Sequence, residues 1–208
     1  MKLYYATGAC SLASHLVLEE AGARYEAVKV SLREGEQRRP EYLKINPKGK
    51  VPVLVLDDGQ VLTENPVIQT YVADLHPKAG LLAPPATLER TRTLEWTAWC
   101  ASGVQPAIGL HFAIERLVEG EAAQAAFREK VKVGAEAQLA LFDRWLEGKK
   151  YVLGDKFSVA DSYTLVFYHW ATFLKLNIGA AHRAAAKTLL ARPAVQRVLA
   201  DEGLKLEA

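Results

Sequence analysis

A single cysteine, Cys10, lies in Thr7-Gly8-Ala9-Cys10-Ser11, directly after a run of strand-forming residues and directly before a helical pattern. The unpaired N–H groups and partial positive charge of a helix N-terminus draw a thiol there toward thiolate, its nucleophilic form. Three positions on, where a dithiol redox motif carries its second cysteine, stands Ala13. A reactive Cys10 therefore acts with an external thiol and closes no local disulfide. The competing reading is a small residue filling a strand–helix junction, the common fate of a free cysteine. Cys100 stands mid-helix among Trp96, Trp99 and Val104 and reads as packing.

Two further segments could present backbone to a ligand. In Val51-Pro52 the proline opens a strand without donating a ladder bond, which suits an edge or a ligand-facing site. Most X-Pro bonds are trans, and the residues alone favour that form here. In Thr63-Glu64-Asn65-Pro66, Asn65 reads as an N-cap and Pro66 as a first helical residue. Such a helix start can hold a carboxylate through its N–H groups, and Glu64 can pair with an ammonium. A plain helix cap accounts for the same residues.

These groups need a scaffold. Lys2–Ala6 and Glu26–Val30 read as strands around a helix carrying Leu12, Leu16 and Val17, with Gly22 at its end, a parallel strand–helix–strand unit. Pro52–Leu56 and Gln60–Leu62 flank Asp57-Asp58-Gly59, a short hairpin, and a second helix runs from about 66 to 76. This is the order of a thioredoxin-like half. Leu81-Leu82-Ala83-Pro84-Pro85 reads as a linker. Beyond it strands largely give way to helices, near 87–118, 121–147, 158–174, 181–191 and 193–202. The predicted fold is an α/β thioredoxin-like domain over 1–80, a linker over 81–86 and an all-helical domain over 87–208. Phe157-Ser158-Val159-Ala160-Asp161 reads as a capping box starting a buried helix.

Composition removes whole classes of function. Of 208 residues, 50% are apolar, enough for a proper core, and 26 basic against 24 acidic side chains leave a formal charge of only +2. So even a balance gives no electrostatic case for nucleic acid or an anionic membrane as partner. Two cysteines make no disulfide framework, and no Cys/His cluster has zinc spacing, so no metal is expected. Without a signal-peptide pattern or a spanning apolar run, a cytoplasmic protein is expected.

The sequence resembles the glutathione S-transferases, specifically the bacterial beta class, over essentially its whole length. The resemblance is carried by Lys2-Leu3-Tyr4-Tyr5, Gly8-Ala9-Cys10-Ser11, Asn46-Pro47-Lys48-Gly49 before Val51-Pro52, and Leu56-Asp57-Asp58-Gly59. Leu62-Thr63-Glu64-Asn65, Glu95-Trp96 and Phe157–Asp161 complete it. It implies a glutathione-binding first domain, a helical domain with the pocket for a small hydrophobic electrophile, and a homodimer. It also implies that Val51-Pro52 is cis, with Val51 pairing to the cysteinyl backbone of glutathione, Glu64 and Asn65 holding the γ-glutamyl end, and Cys10 facing the sulfur. Tyr5 and Ser11 are the further candidates to steady that sulfur.

The chain also departs from the family. Where relatives carry a His-Lys pair after Glu-Trp it has Gln105-Pro106, with Ser102 at the hydroxyl position and Ala98 for an asparagine. Gln105 can hydrogen-bond but cannot shuttle a proton, and Pro106 should kink the helix. His111 is expected to line the second-substrate cleft or to pack. Arg33 is the candidate for the family's basic residue after the second strand. The leading expectation is conjugation of glutathione to small electrophiles, with thiol–disulfide exchange through a Cys10–glutathione mixed disulfide. A glutathione-dependent dehalogenase or isomerase, or a non-catalytic ligand-binding member, are the alternatives.

Overall fold

The computed structural model describes residues 1–207. Strand β1 (Lys2–Tyr5), helix α1 (Leu12–Glu20) and strand β2 (Glu26–Lys29) form the first unit, with β1 and β2 parallel and Leu3 opposite Ala27. A 3₁₀ turn, Glu36–Arg38, and α2 (Pro40–Ile45) lead to β3 (Val53–Val55) and β4 (Val61–Thr63), then to α3 (Asn65–Leu75). The sheet order is β2-β1-β3-β4, with β3 antiparallel to both neighbours. The β3–β4 turn closes at Asp57-Asp58-Gly59: Gly59 takes φ +85°, and Leu56 N–H donates to the Gln60 carbonyl at 2.8 Å.

After residue 80 the described chain is almost wholly helical. Thr87 caps α4 (Leu88–Trp99) by accepting from Arg90 N–H. A π-helical turn (Cys100–Val104) follows, then α5 (Gln105–Gly109), a 3₁₀ turn (Leu110–Ala113) and α6 (Ile114–Leu117). The expected kink at Pro106 takes the form of that π turn: proline lacks an N–H and crowds the carbonyl four residues back, and a wider turn makes room. Helices α7 (Glu121–Leu146), α8 (Ser162–Phe173), α9 (Ala180–Leu190) and α10 (Pro193–Glu202) complete the second half. Ahead of α8 the capping box is formed, with Asp161 accepting from Ser158 N–H at 2.9 Å and from Val152 N–H at 2.7 Å.

One core runs through both halves. Leu3, Leu12, Leu16, Leu54 and Ile68 join Cys100, Leu139, Phe142, Tyr163 and Phe167, all essentially without solvent exposure. Helix α1 is buried along most of its length because it packs on α3 on one side and on α8 and α10 on the other. That sandwiching fixes the loop before α1. No helix among the described residues is long and apolar enough to cross a membrane.

Candidate active site

The loop Thr7–Cys10 between β1 and α1 is held from the helical half. Gly8 has φ +64°, and a side chain there would meet the His169 ring at 2.5 Å, so only glycine fits. Its N–H donates to the buried Glu202 carboxylate at 2.8 Å, and its carbonyl accepts from Trp170 Nε1 at 2.8 Å. Glu202 also meets His15 Nδ1 at 3.0 Å, and Thr7 Oγ1 donates to the Glu202 backbone carbonyl. The C-terminal end of α10 thus anchors the residues that carry Cys10. Sequence reasoning missed this link, because the partners lie 194 positions apart and Glu202 has no local signature.

A cleft of about 750 Å³ opens between the two halves. Ala9, Cys10, Val51, Pro52, Glu64 and Asn65 line one wall, and Gln105, Pro106, Phe112, Tyr163 and Trp170 line the other. Val51-Pro52 is cis. The Cys10 thiol donates to the Val51 carbonyl at 3.3 Å, and the Cys10 carbonyl accepts from the Asn65 amide at 2.9 Å. Asn65 Oδ1 in turn accepts from Ser14 Oγ at 2.6 Å. Asn65 is therefore the first helical residue of α3 and braces α1, whereas the cap position expected for it belongs to Glu64. Glu64 stands at φ +72°, a left-handed conformation rare for a side-chain-bearing residue, and projects a largely exposed carboxylate that pairs with Lys48 at 2.7 Å. Lys48 also donates to Thr63 Oγ1 at 2.8 Å.

Electrostatics at Cys10 run against the expectation drawn from the helix end. Burial pushes its thiol up to about 11, outweighing its own backbone N–H, the Lys50 charge and Asn65, which pull down, while Glu64 pushes further up. The reason is geometric: the helix proper begins at Leu12, two residues beyond the sulfur. Burial of the charged form then dominates over a partial dipole.

Five of the candidate residues do not line this cleft. Tyr5 points from β1 toward α10, where its hydroxyl donates to the Asp201 carbonyl at 3.3 Å. Ser11 is fully buried and braces the turn, its Oγ accepting from Ala6 N–H and donating to the Ala6 carbonyl. Arg33 is exposed in the loop after β2, and the cations on the cleft wall are instead Arg38, Lys48, Lys50 and Arg116. Ser102 faces outward from the π turn and donates back to the Ala98 carbonyl at 2.8 Å. His111 lines a separate cavity of about 470 Å³ with Glu115, Arg128 and Phe173, its Nδ1 3.1 Å from the Ile108 carbonyl. Its neighbour Phe112 lines both cavities and packs edge-to-face on Trp170, centroids 5.4 Å apart. The aromatic wall of Phe112, Tyr163 and Trp170 was not foreseen; for Tyr163 and Trp170 the signal was the aromatic spacing of the helix after the capping box, whereas Phe112 stands on the 3₁₀ turn before α6. No group of three or more His, Cys, Asp or Glu side chains is placed to hold a metal among the described residues.

Comparison with known proteins agrees with this architecture. Residues 1–74 match the glutathione S-transferase N-terminal domain and residues 107–193 the C-terminal domain. The chain is 38% identical to glutathione S-transferase GstA of Escherichia coli O157:H7, over 99% of this chain and 100% of that protein. It superposes on a sphingomonad glutathione S-transferase complexed with glutathione at a TM-score of 0.85, with 38% identity, covering 99% and 100% of the two chains. The beta-class enzyme of Sphingomonas chungbukensis gives a TM-score of 0.85 at 35% identity, over 99% and 100%.

Proposed function

The chain belongs to the glutathione S-transferase family, and from that premise we propose that its cleft binds glutathione and conjugates it to small hydrophobic electrophiles. The observation that carries this reading is the convergence of Cys10, the cis Val51-Pro52 backbone, Glu64 and Asn65 on one cleft wall opposite an aromatic wall. Glutathione would lie extended, its cysteinyl backbone on Val51 and its γ-glutamyl ammonium on Glu64, displacing Lys48 from that carboxylate. Arg38 and Lys50, both on the cleft wall, are the cations available to its carboxylates. The electrophile would stack on Phe112 and Trp170, whose apolar faces suit a planar, desolvated partner.

Cys10 serves here first as a hydrogen-bond donor toward the glutathione sulfur, since burial keeps its proton in place. Exchange is the slower second activity. The small thiolate fraction of Cys10 attacks one sulfur of oxidised glutathione; a Cys10–glutathione disulfide forms, the old S–S bond breaks, and one glutathione leaves as thiolate. The protein would act as a homodimer, as a single sedimenting species of twice the chain mass would show. Gln105-Pro106 favours a second reading, a binding protein with little turnover, because glutamine can neither take up nor release a proton at neutral pH. Calorimetric titration with glutathione, alongside turnover of a generic aromatic electrophile, separates the two. Binding with turnover supports the transferase, binding without turnover the alternative, and no binding removes both.

A further inference from the structure

Tyr163 is fully buried on α8, yet its hydroxyl has no hydrogen-bond partner within the described residues and its side chain lines the cleft that holds Cys10. Buried hydroxyls are almost always paired, so an orphan facing a cleft is a donor whose partner arrives with a ligand. Asn65 lies near enough to pull the phenol's pKa down, but it makes no hydrogen bond of acceptable geometry to the hydroxyl, its carboxamide serving Ser14 and the Cys10 carbonyl instead. On the same wall stands Gln105, whose own Oε1 is also buried without a partner. Both residues lie on the wall opposite Cys10, and of the two only Tyr163 presents a hydroxyl.

We propose that Tyr163 is a catalytic residue of the conjugation reaction, its hydroxyl donating a hydrogen bond to the sulfur of bound glutathione and stabilising it as thiolate. This inference rests on the glutathione reading above. Burial, together with the nearby titratable groups Cys100, Cys10 and Glu64, outweighs the Asn65 amide, which pulls down, and raises the pKa of the phenol well above its ordinary value. The hydroxyl therefore keeps its proton throughout and acts as a donor, never as a base. The glutathione thiol loses its proton to water at the cleft mouth. The thiolate then forms the S–C bond as the leaving group departs with the electron pair, and Tyr163 ends as it began. Tyr5 is no competitor for this task, since its hydroxyl is engaged at Asp201 outside the cleft.

The test is an ultraviolet titration of the bound thiol in wild type and Tyr163→Phe, with the S-methylglutathione complex as the blank that cancels the protein's own thiols. In Tyr163→Phe the bound thiol should titrate about one pH unit higher, leaving roughly tenfold less thiolate and tenfold lower kcat/KM at neutral pH. S-methylglutathione affinity should be unchanged. 3-Fluorotyrosine incorporated at Tyr163, a stronger donor of the same shape, should move the titration down. An unmoved bound-thiol titration in either variant overturns the proposal, as does loss of S-methylglutathione binding in Tyr163→Phe alone, which would mark a structural role. Failure of wild type to bind S-methylglutathione would instead remove the glutathione reading beneath it.

Discussion

The thiol of Cys10 donates to the carbonyl oxygen of Val51, 3.3 Å away across the β1–α1 loop and the cis peptide. A carbonyl oxygen has two lone pairs, so Val51 can also accept from an extended peptide laid along it. Desolvation favours a protonated Cys10, whose single S–H can turn from the Val51 carbonyl to a second sulfur once a ligand is in place.

From this follows a pH signature. With the thiol at about 11, its thiolate fraction at pH 7 is on the order of 1 in 10,000. Alkylation of Cys10 in folded protein should be slow at neutral pH and climb about tenfold per pH unit toward 11. Intact-mass analysis with oxidised glutathione should show an adduct that accumulates faster as pH rises and is missing in Cys10→Ala. A labelling rate already level near neutrality would mean that the helix end outweighs burial. Conjugation should fall less than exchange in Cys10→Ala, because glutathione supplies its own nucleophile.

Glu64 combines a functional carboxylate with a strained backbone at φ +72°. A non-glycine residue held in such a region costs about 1–3 kcal/mol, which glycine relieves. Glu64→Gly should therefore be more stable to denaturant than Glu64→Ala. Both should bind glutathione more weakly, since a hydrogen bond to a charged group is worth roughly 1.5–3 kcal/mol. Chemical denaturation and calorimetry read the two effects separately. Glutathione affinity equal to wild type in both variants would place the γ-glutamyl end elsewhere.

What could be read from the sequence was local. The hairpin at Asp57-Asp58-Gly59 and the Ser158–Asp161 capping box each complete their bonds within a few residues, so residue type sufficed. The destinations of Tyr5 and Ser11 were not legible: strand alternation says that Tyr5 changes faces with Tyr4, but not that α10 waits on the side it takes. Arg33 stays exposed in the loop after β2 while Arg38 lines the cleft, a placement that residue type in that loop does not reveal. The upward shift of the Cys10 thiol was not legible for a deeper reason. A helix dipole is visible in a ten-residue window, whereas desolvation sums over everything packed around the sulfur.

Glu202 illustrates such a long-range dependency. Its carboxylate accepts from Gly8 N–H and meets His15, all of it buried. Truncation to Ala leaves a buried donor and an imidazole without partners, and each buried polar group left unsatisfied costs about 1–3 kcal/mol. Glu202→Ala should lose stability on that scale, and Glu202→Gln less, since an amide oxygen can still serve Gly8. Denaturant midpoints at constant m-value check both. A Glu202→Ala loss below about 1 kcal/mol would show that α10 does not hold the loop.

Two buried titratable groups at the base of the helical half should set opposing pH dependences. Burial raises Asp161 to about 6, even though it accepts from Val152 and Ser158 N–H, whereas the unfolded carboxyl titrates near 3.8. Its linked stability is complete below the unfolded value and is lost as pH rises through about 6. His182 is the reverse: burial lowers it to about 4 from 6.5, its Nε2 facing the Thr164 carbonyl at 2.9 Å. Its contribution is complete above 6.5 and is lost as pH falls through about 4. Each shift of about two units corresponds to roughly 3 kcal/mol, so the two nearly cancel between pH 4 and 6.5. Asp161→Asn should unmask the histidine, making the protein lose roughly 3 kcal/mol more than wild type on acidification across that window. His182→Gln should unmask the carboxyl and change the slope in the opposite sense. The slopes, not the absolute stabilities, carry the test, because both variants also disturb buried hydrogen bonds. Urea unfolding at pH 4.5, 5.5 and 6.5 would measure them. Parallel slopes in all three proteins would mean that these groups titrate alike folded and unfolded.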